Sequence, residues 1–320
     1  MLSIFTSSFG AAFEAIFQIL LIALAAGLLM RKKILTQEQV KALSAIVVRV
    51  LLPCMIFSNI VKNFDPGGFK IWPLIPAAAV LIVGIGLAAG ALLLWPQIKI
   101  KKYLLAPAAF QNAGYLILPL GKILYPEQFD KFALYCFLYI LGLNPILWSL
   151  GKYLVSSEED EKISFGGLLT PPLIASIATI LLVLLKLKFI VPSTVLNATD
   201  LVGSATVPMA TFILGAALGS ISFSIKSYVL DAVKVLFVRL IFVPICTIIV
   251  LMLTGLYKDY PLLCNLFVLQ ASSSPATALI LQVNHYGGKE QEIGSILLLS
   301  YFACVITIPF WLAVWTAITA

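Results

Sequence analysis

Histidine is nearly missing from this 320-residue chain, where His285 stands alone. A catalytic histidine pairing or a histidine-built metal site is therefore not expected. Charge is scarce as well: 11% of residues are charged and 61% are hydrophobic, with a mean hydropathy of +1.07. A soluble domain is roughly a quarter charged, so this composition belongs in a membrane. The five cysteines, Cys54, Cys136, Cys246, Cys264 and Cys304, lie in apolar stretches with no C-x-x-C pair. They read as buried reduced thiols, not as a redox or metal motif. The net charge of +7 does not mark a nucleic-acid binder, because Lys and Arg are scattered over short polar breaks.

What is abundant is apolar length. A spanning helix needs about 20 mostly apolar residues, and the polar breaks leave ten such stretches: 11–30, 42–61, 71–95, 103–123, 132–151, 168–189, 200–220, 229–256, 261–283 and 293–317. No basic segment precedes the first, whose earliest charge is Glu14, so it reads as a retained span or signal anchor. Lys and Arg favour the odd-numbered loops over the even ones by twelve to seven. That bias puts the odd loops, and the acidic run Glu158–Glu161, in the cytoplasm and both termini outside. The expectation is a multi-pass, all-α protein of the plasma or inner membrane.

The ten stretches fall into two sets of five. Aligning Pro53 of "LLPCMIFSNI" with Pro208 of "TVPMATFILG" also aligns Phe57 with Phe212, and "NPILW" (144–148) answers "IPFW" (308–311). With five spans per half, the second half enters from the opposite side, giving inverted repeats over 1–151 and 168–320 joined by a short linker at 152–167. The fourth and ninth stretches, "FQNAGYLILPL" (110–120) and "QASSSPATALI" (270–280), are polar and carry proline near their middles. Pro119 and Pro275 cannot donate to a helix ladder, and Gly114 eases a break. Unpaired backbone at membrane depth is tolerated only where it faces protein or a water-filled cavity. Helices 4 and 9 are therefore expected to be broken, to cross near the midplane, and to turn their freed groups toward a substrate.

Three segments, "TPPLIASIATILLVLL", "PATALILQVNHYGG" and "SILLLSYFACVITIPFWLAV", resemble the auxin efflux carrier family, which includes plant PIN proteins and bacterial organic-acid permeases. The seven-residue spacing of Asn112 and Pro119, and the pair Pro171–Pro172 opening the sixth stretch, match the family pattern. The resemblance covers the whole chain, and the short central loop is like that of the bacterial members. It implies a scaffold built on spans 1, 2, 6 and 7, with spans 5 and 10 alongside, and a transport part holding the crossing of spans 4 and 9. This is the arrangement of the bile-acid symporter and cation/proton antiporter folds. It further implies elevator-type alternating access for a small organic anion such as auxin, malate or malonate, and a homodimer. Two positions depart from the family: Ala278 or Leu279 stands where bacterial members often place an Asn, and Gln111 stands where plant members have proline. Both bear on the choice of substrate.

Asn112 and Gln111 are the leading candidates for substrate contact, against the plainer role of interhelical hydrogen bonding. Tyr115 is a pocket-lining or packing aromatic. Ser273, Ser274 and Thr277 flank Pro275 and can face a carboxylate or serve as interface glue, and Asn144 precedes Pro145 in span 5. Arg49, four residues before Pro53, is deep enough to draw an anion or to snorkel to an interface, and Arg239 reads the same way with less support. No Asp or Glu occupies the central third of any stretch, so proton coupling lacks its usual group. Sodium could be held by amide, hydroxyl and carbonyl oxygens, and uniport fits the missing acid. No cofactor is expected. The small-residue runs "GIGLAAG" (84–90) and "GAALG" (215–219) read as close helix packing rather than a dinucleotide loop. "NAT" (197–199) is a glycosylation acceptor only in a secretory pathway. An enzyme lacks a nucleophile–base pair and a channel lacks a repeated polar ring. A sodium-coupled symporter and a non-transporting membrane sensor of such anions are the alternatives to a carrier.

Overall fold

The computed structural model describes residues 1–95, 97–156, 169–221 and 228–320, and of 284–286 the backbone alone. The described residues are helical, with no strand beyond one isolated bridge. In chain order the helices are α1 (Leu2–Arg31), α2 (Gln37–Asn63), α3 (Leu74–Leu93), α4 (Leu105–Ala109), α5 (Ile117–Leu124), α6 (Pro126–Val155), α7 (Pro171–Leu184), α8 (Ser193–Ser220), α9 (Val229–Thr254), α10 (Pro261–Ser272), α11 (Ala278–Tyr286) and α12 (Glu290–Thr319). Seven of them (α1, α2, α3, α6, α8, α9 and α12) are long and apolar enough to cross a bilayer. The chain is a multi-pass membrane protein.

The remaining expected stretches differ from the simple count. The 14 residues of α7 and the 12 of α10, at about 1.5 Å each, fall short of a hydrocarbon core of about 30 Å. The stretches at 103–123 and 261–283 are the interrupted ones, divided into α4 and α5, and into α10 and α11. The linker expected at 152–167, with its acidic run, lies outside the described residues from 157 onward.

Local sequence explains where the helices start and deform. Thr36 caps α2 in a reciprocal box with Gln39, its hydroxyl taking the Gln39 N–H while the Gln39 side chain takes the Thr36 N–H. A proline leaves the carbonyl four residues earlier without its donor. The carbonyls facing Pro53 and Pro244 lie in wide, π-type turns at Val47–Leu51 and Val238–Phe242, where the ladder is already loosened. A third wide turn, Leu147–Gly151, follows Pro145, whose carbonyl accepts the Ser149 hydroxyl at 2.6 Å. In α8 the helix is interrupted at Ala205, just before Pro208.

Packing sorts the helices into two groups. α1 runs along α8, and α2 packs on α7 and α8. α3 packs on α6, and α10 on α9, α6 and α12. α12 also runs along α1, so α12 joins the two groups, whereas α6 belongs chiefly with α3. Both small-residue runs serve close approach, as the sequence suggested. A Cβ on Gly215 would lie 2.2 Å from the Ala23 carbonyl oxygen of α1, and one on Gly86 would lie 2.7 Å from the Ala109 Cα. The second contact presses α3 against the end of α4, where the first interruption begins. α10 is apolar almost all round and is buried from Leu266 to Ser272, as expected of a helix without a polar face. Cys136, Cys264 and Cys304 are buried free thiols, and Cys54 and Cys246 are half-buried ones.

Candidate functional site

The two interruptions meet. Phe110 and Ser273 leave their helices in extended conformation, and the chains then run antiparallel past each other. The Asn112 N–H donates to the Ser274 carbonyl at 2.9 Å, and the Ala276 N–H donates to the Phe110 carbonyl at 2.9 Å. Gln111 and Pro275 face each other between these bonds. That is the non-hydrogen-bonded position of an antiparallel pair, so the N–H that proline lacks is not needed there. Proline also pushes its predecessor Ser274 toward extended backbone. Pro119 acts differently from expectation. It lies in the first turn of α5, where no helical donor is required. It therefore starts the second half-helix, while the break itself lies upstream at 110–116.

Around the bridge the side chains are tied down. Gln111 is fully buried and its amide N–H donates to the Tyr139 hydroxyl. Asn112 is buried and its amide donates to the Tyr301 hydroxyl. Gln270 donates to the Ala113 carbonyl at 3.3 Å. The Gln111 Oε1 and Thr170 Oγ1 atoms are buried with no donor among the described residues.

Beside the bridge lies a cavity of about 140 Å³. The first interruption supplies Gln111, Asn112, Gly114 and Tyr115, and the second supplies Ala276 and Thr277. The wall opposite is α6, through Ile140, Leu143, Asn144, Leu147 and Trp148, with Val48 and Leu52 from α2 and Thr170 and Pro172 at the start of α7. The cavity therefore sits between the two helix groups. Among the described residues, none lining it is charged. α11 begins at its edge with Ala278. The N–H groups of Leu279 and Ile280 bond to the carbonyls of Ala276 and Thr277, so the positive end of the helix dipole, not a set of free donors, colours that edge.

Five expected contact residues, Asn112, Gln111, Tyr115, Thr277 and Asn144, thus line one cavity together with Gly114. Ser273 and Ser274 are fully buried behind the bridge and do not line it. Arg49 is exposed and does not line it either, although its neighbour Val48 does. Successive residues on a helix point in different directions.

Arg239 is where the sequence reading fell short. It is 0% exposed, in the wide turn of α9. Its Nε donates to the Ser273 carbonyl at 2.9 Å, Nη2 to Gln270 at 2.6 Å and Ala271 at 3.0 Å, and Nη1 to Ala109 at 3.5 Å. These carbonyls end α4 and α10, so one guanidinium serves both interrupted segments. Its depth was the available signal: ten residues past Val229 is about 15 Å along a helix, half the ~30 Å core and far for snorkelling. Trp148 and Thr170 were also missed, since neither type stands out in an apolar stretch.

A family profile described as "Membrane transport protein" matches residues 11–165 and 161–312. An uncharacterized transporter of Methanocaldococcus jannaschii is 29% identical over 194 residues, 58% of this chain and 62% of that relative. The match thus spans less than two thirds of the relative's length.

Proposed function

Because the chain belongs to the membrane transport protein family, that of the auxin efflux carriers, we propose that it is a secondary carrier of a small organic anion. The observation that carries this reading is the cavity at the bridge. The start of α11 and side-chain amides edge it, no carboxylate lines it among the described residues, and it lies between two helix groups that pack as separate sets. The Thr277 hydroxyl, the Asn112 amide and the positive end of the α11 dipole suit a single carboxylate without a cationic side chain, which favours a monoanion over a dianion. Apolar residues of α6 then face the body of the acid.

In this reading α4–α5 and α10–α11 each cross the membrane as one broken span. With α7 they complete ten spans in two inverted sets of five, 1–151 and 168–320, with both termini outside the cell membrane. Alternating access comes from an elevator-like shift of α3–α6 and α9–α12 against α1, α2, α7 and α8. Among the coupling schemes, a sodium-coupled symport has one observation in its favour. Gln111 Oε1 and Thr170 Oγ1 are oxygen acceptors with no donor among the described residues, the atom type a hard cation takes.

The test is uptake of radiolabelled malate, malonate and indole-3-acetate into proteoliposomes, varying sodium, pH and voltage in turn. Saturable uptake of at least one acid is expected. No uptake of any acid under any gradient overturns the substrate class, and uptake unaffected by sodium removes the symport reading.

A further inference from the structure

We propose that Arg239 is the built-in cation of the crossing, a positioning residue that holds the two interrupted segments in register although it does not touch the cavity. The last carbonyls of a helix have no helical donor of their own, and such an end carries a partial negative charge. At the bridge two of these ends converge, α4 at Ala109 and α10 at Gln270, Ala271 and Ser273. Side by side and out of contact with water they would repel. A single guanidinium matches both needs, because its positive charge faces the partial negative charge of both carbonyl ends. Its planar fork of five donors can also serve several carbonyls at once.

The ends are also unlike in what they face. The carbonyl ends bond to Arg239, which does not line the cavity, whereas the start of α11 at Ala278 does. Neutralising the carbonyl ends removes their repulsion of an anion bound in the cavity beside them. Arg239 thus sets the substrate site from behind, through the backbone of residues 109–113 and 271–276. The role in binding rests on the carrier reading above, whereas the role in holding the bridge does not.

The experiment uses the full-length protein in lipid nanodiscs and liposomes, as wild type, Arg239→Lys and Arg239→Gln. Amide hydrogen exchange is followed at Asn112 and Ala276, the two bridging donors, with amides of α1 and α8 as internal references. Transport of whichever of the three acids the wild type carries fastest is measured alongside. In Arg239→Gln the bridging amides should exchange about 100-fold faster, as expected when charge-assisted hydrogen bonds are lost, while α1 and α8 stay unchanged. KM should rise more than turnover falls. Arg239→Lys, which keeps the charge without the fork, should lie between the two in both readouts. If the Gln variant does not fold, the Lys variant alone decides: faster exchange confined to the bridge supports the role. Bridge amides that keep wild-type rates in the variant, or reference helices that loosen as much as the bridge, would overturn it. If the wild type carries no acid, the carrier reading fails by itself and the exchange data still judge Arg239.

Discussion

The wide turns at Val47–Leu51 and Val238–Phe242 are built alike and used differently. Each contains an arginine, is otherwise apolar, and is followed by a proline, Pro53 or Pro244. The proline explains the deformation in both, since it removes the same helical bond. Yet Arg49 is exposed while Arg239 is wholly buried among four backbone carbonyls. Local sequence therefore sets the shape of the turn, and what packs over it sets the role of the charge. For Arg239 that cover comes from residues 31 to 130 positions away, the carbonyl ends of α10 and α4. In the turn of Arg49 the inward-facing residues are the apolar Val47 and Val48.

Removing the buried charge should have the largest effect. Arg239→Gln leaves carbonyls at membrane depth with too few donors and should cost about 3–5 kcal/mol, read as a lowered unfolding midpoint of the purified protein in detergent. Asn112→Ala comes next. It removes a polar group from the cavity edge and should lower kcat/KM for uptake about tenfold, the factor for ~1.4 kcal/mol. Tyr301→Phe sharpens the comparison by removing only the hydroxyl that receives the Asn112 amide. A membrane-embedded side-chain hydrogen bond contributes about 0.6–1 kcal/mol, so a small fall in the same midpoint is expected. Arg49→Gln should do least, within about 0.5 kcal/mol of wild type and with uptake unchanged at low substrate. An Arg49 variant as damaged as the Arg239 one would break the contrast outright.

Much of this was visible in the sequence where a residue's own chemistry decides its geometry. Pro275, the amides of Gln111 and Asn112, and the glycines of 84–90 and 215–219 announced interruptions and close packing, and the structure puts them there. The limits of that legibility are equally specific. Pro119 marks the region of the first break but not which side of it the break falls on, because proline suits a first turn as well as it spoils an interior. Ser273 and Ser274 have the same chemistry as Thr277, and only the turn of the chain after Pro275 decides that Thr277 reaches the cavity. Arg239 was legible as a buried charge by its depth, but its partners come together only through tertiary packing.

The central claim is that a small organic anion is bound beside the bridge of the two interrupted segments. Its most direct test is saturable uptake of a labelled acid into proteoliposomes, measured side by side for wild type, Asn112→Ala and Arg49→Gln. Uptake reduced about tenfold by Asn112→Ala and left intact by Arg49→Gln is the result this account predicts. Uptake that survives Asn112→Ala but is lost with Arg49→Gln would contradict it and move the binding site to the exposed turn of α2.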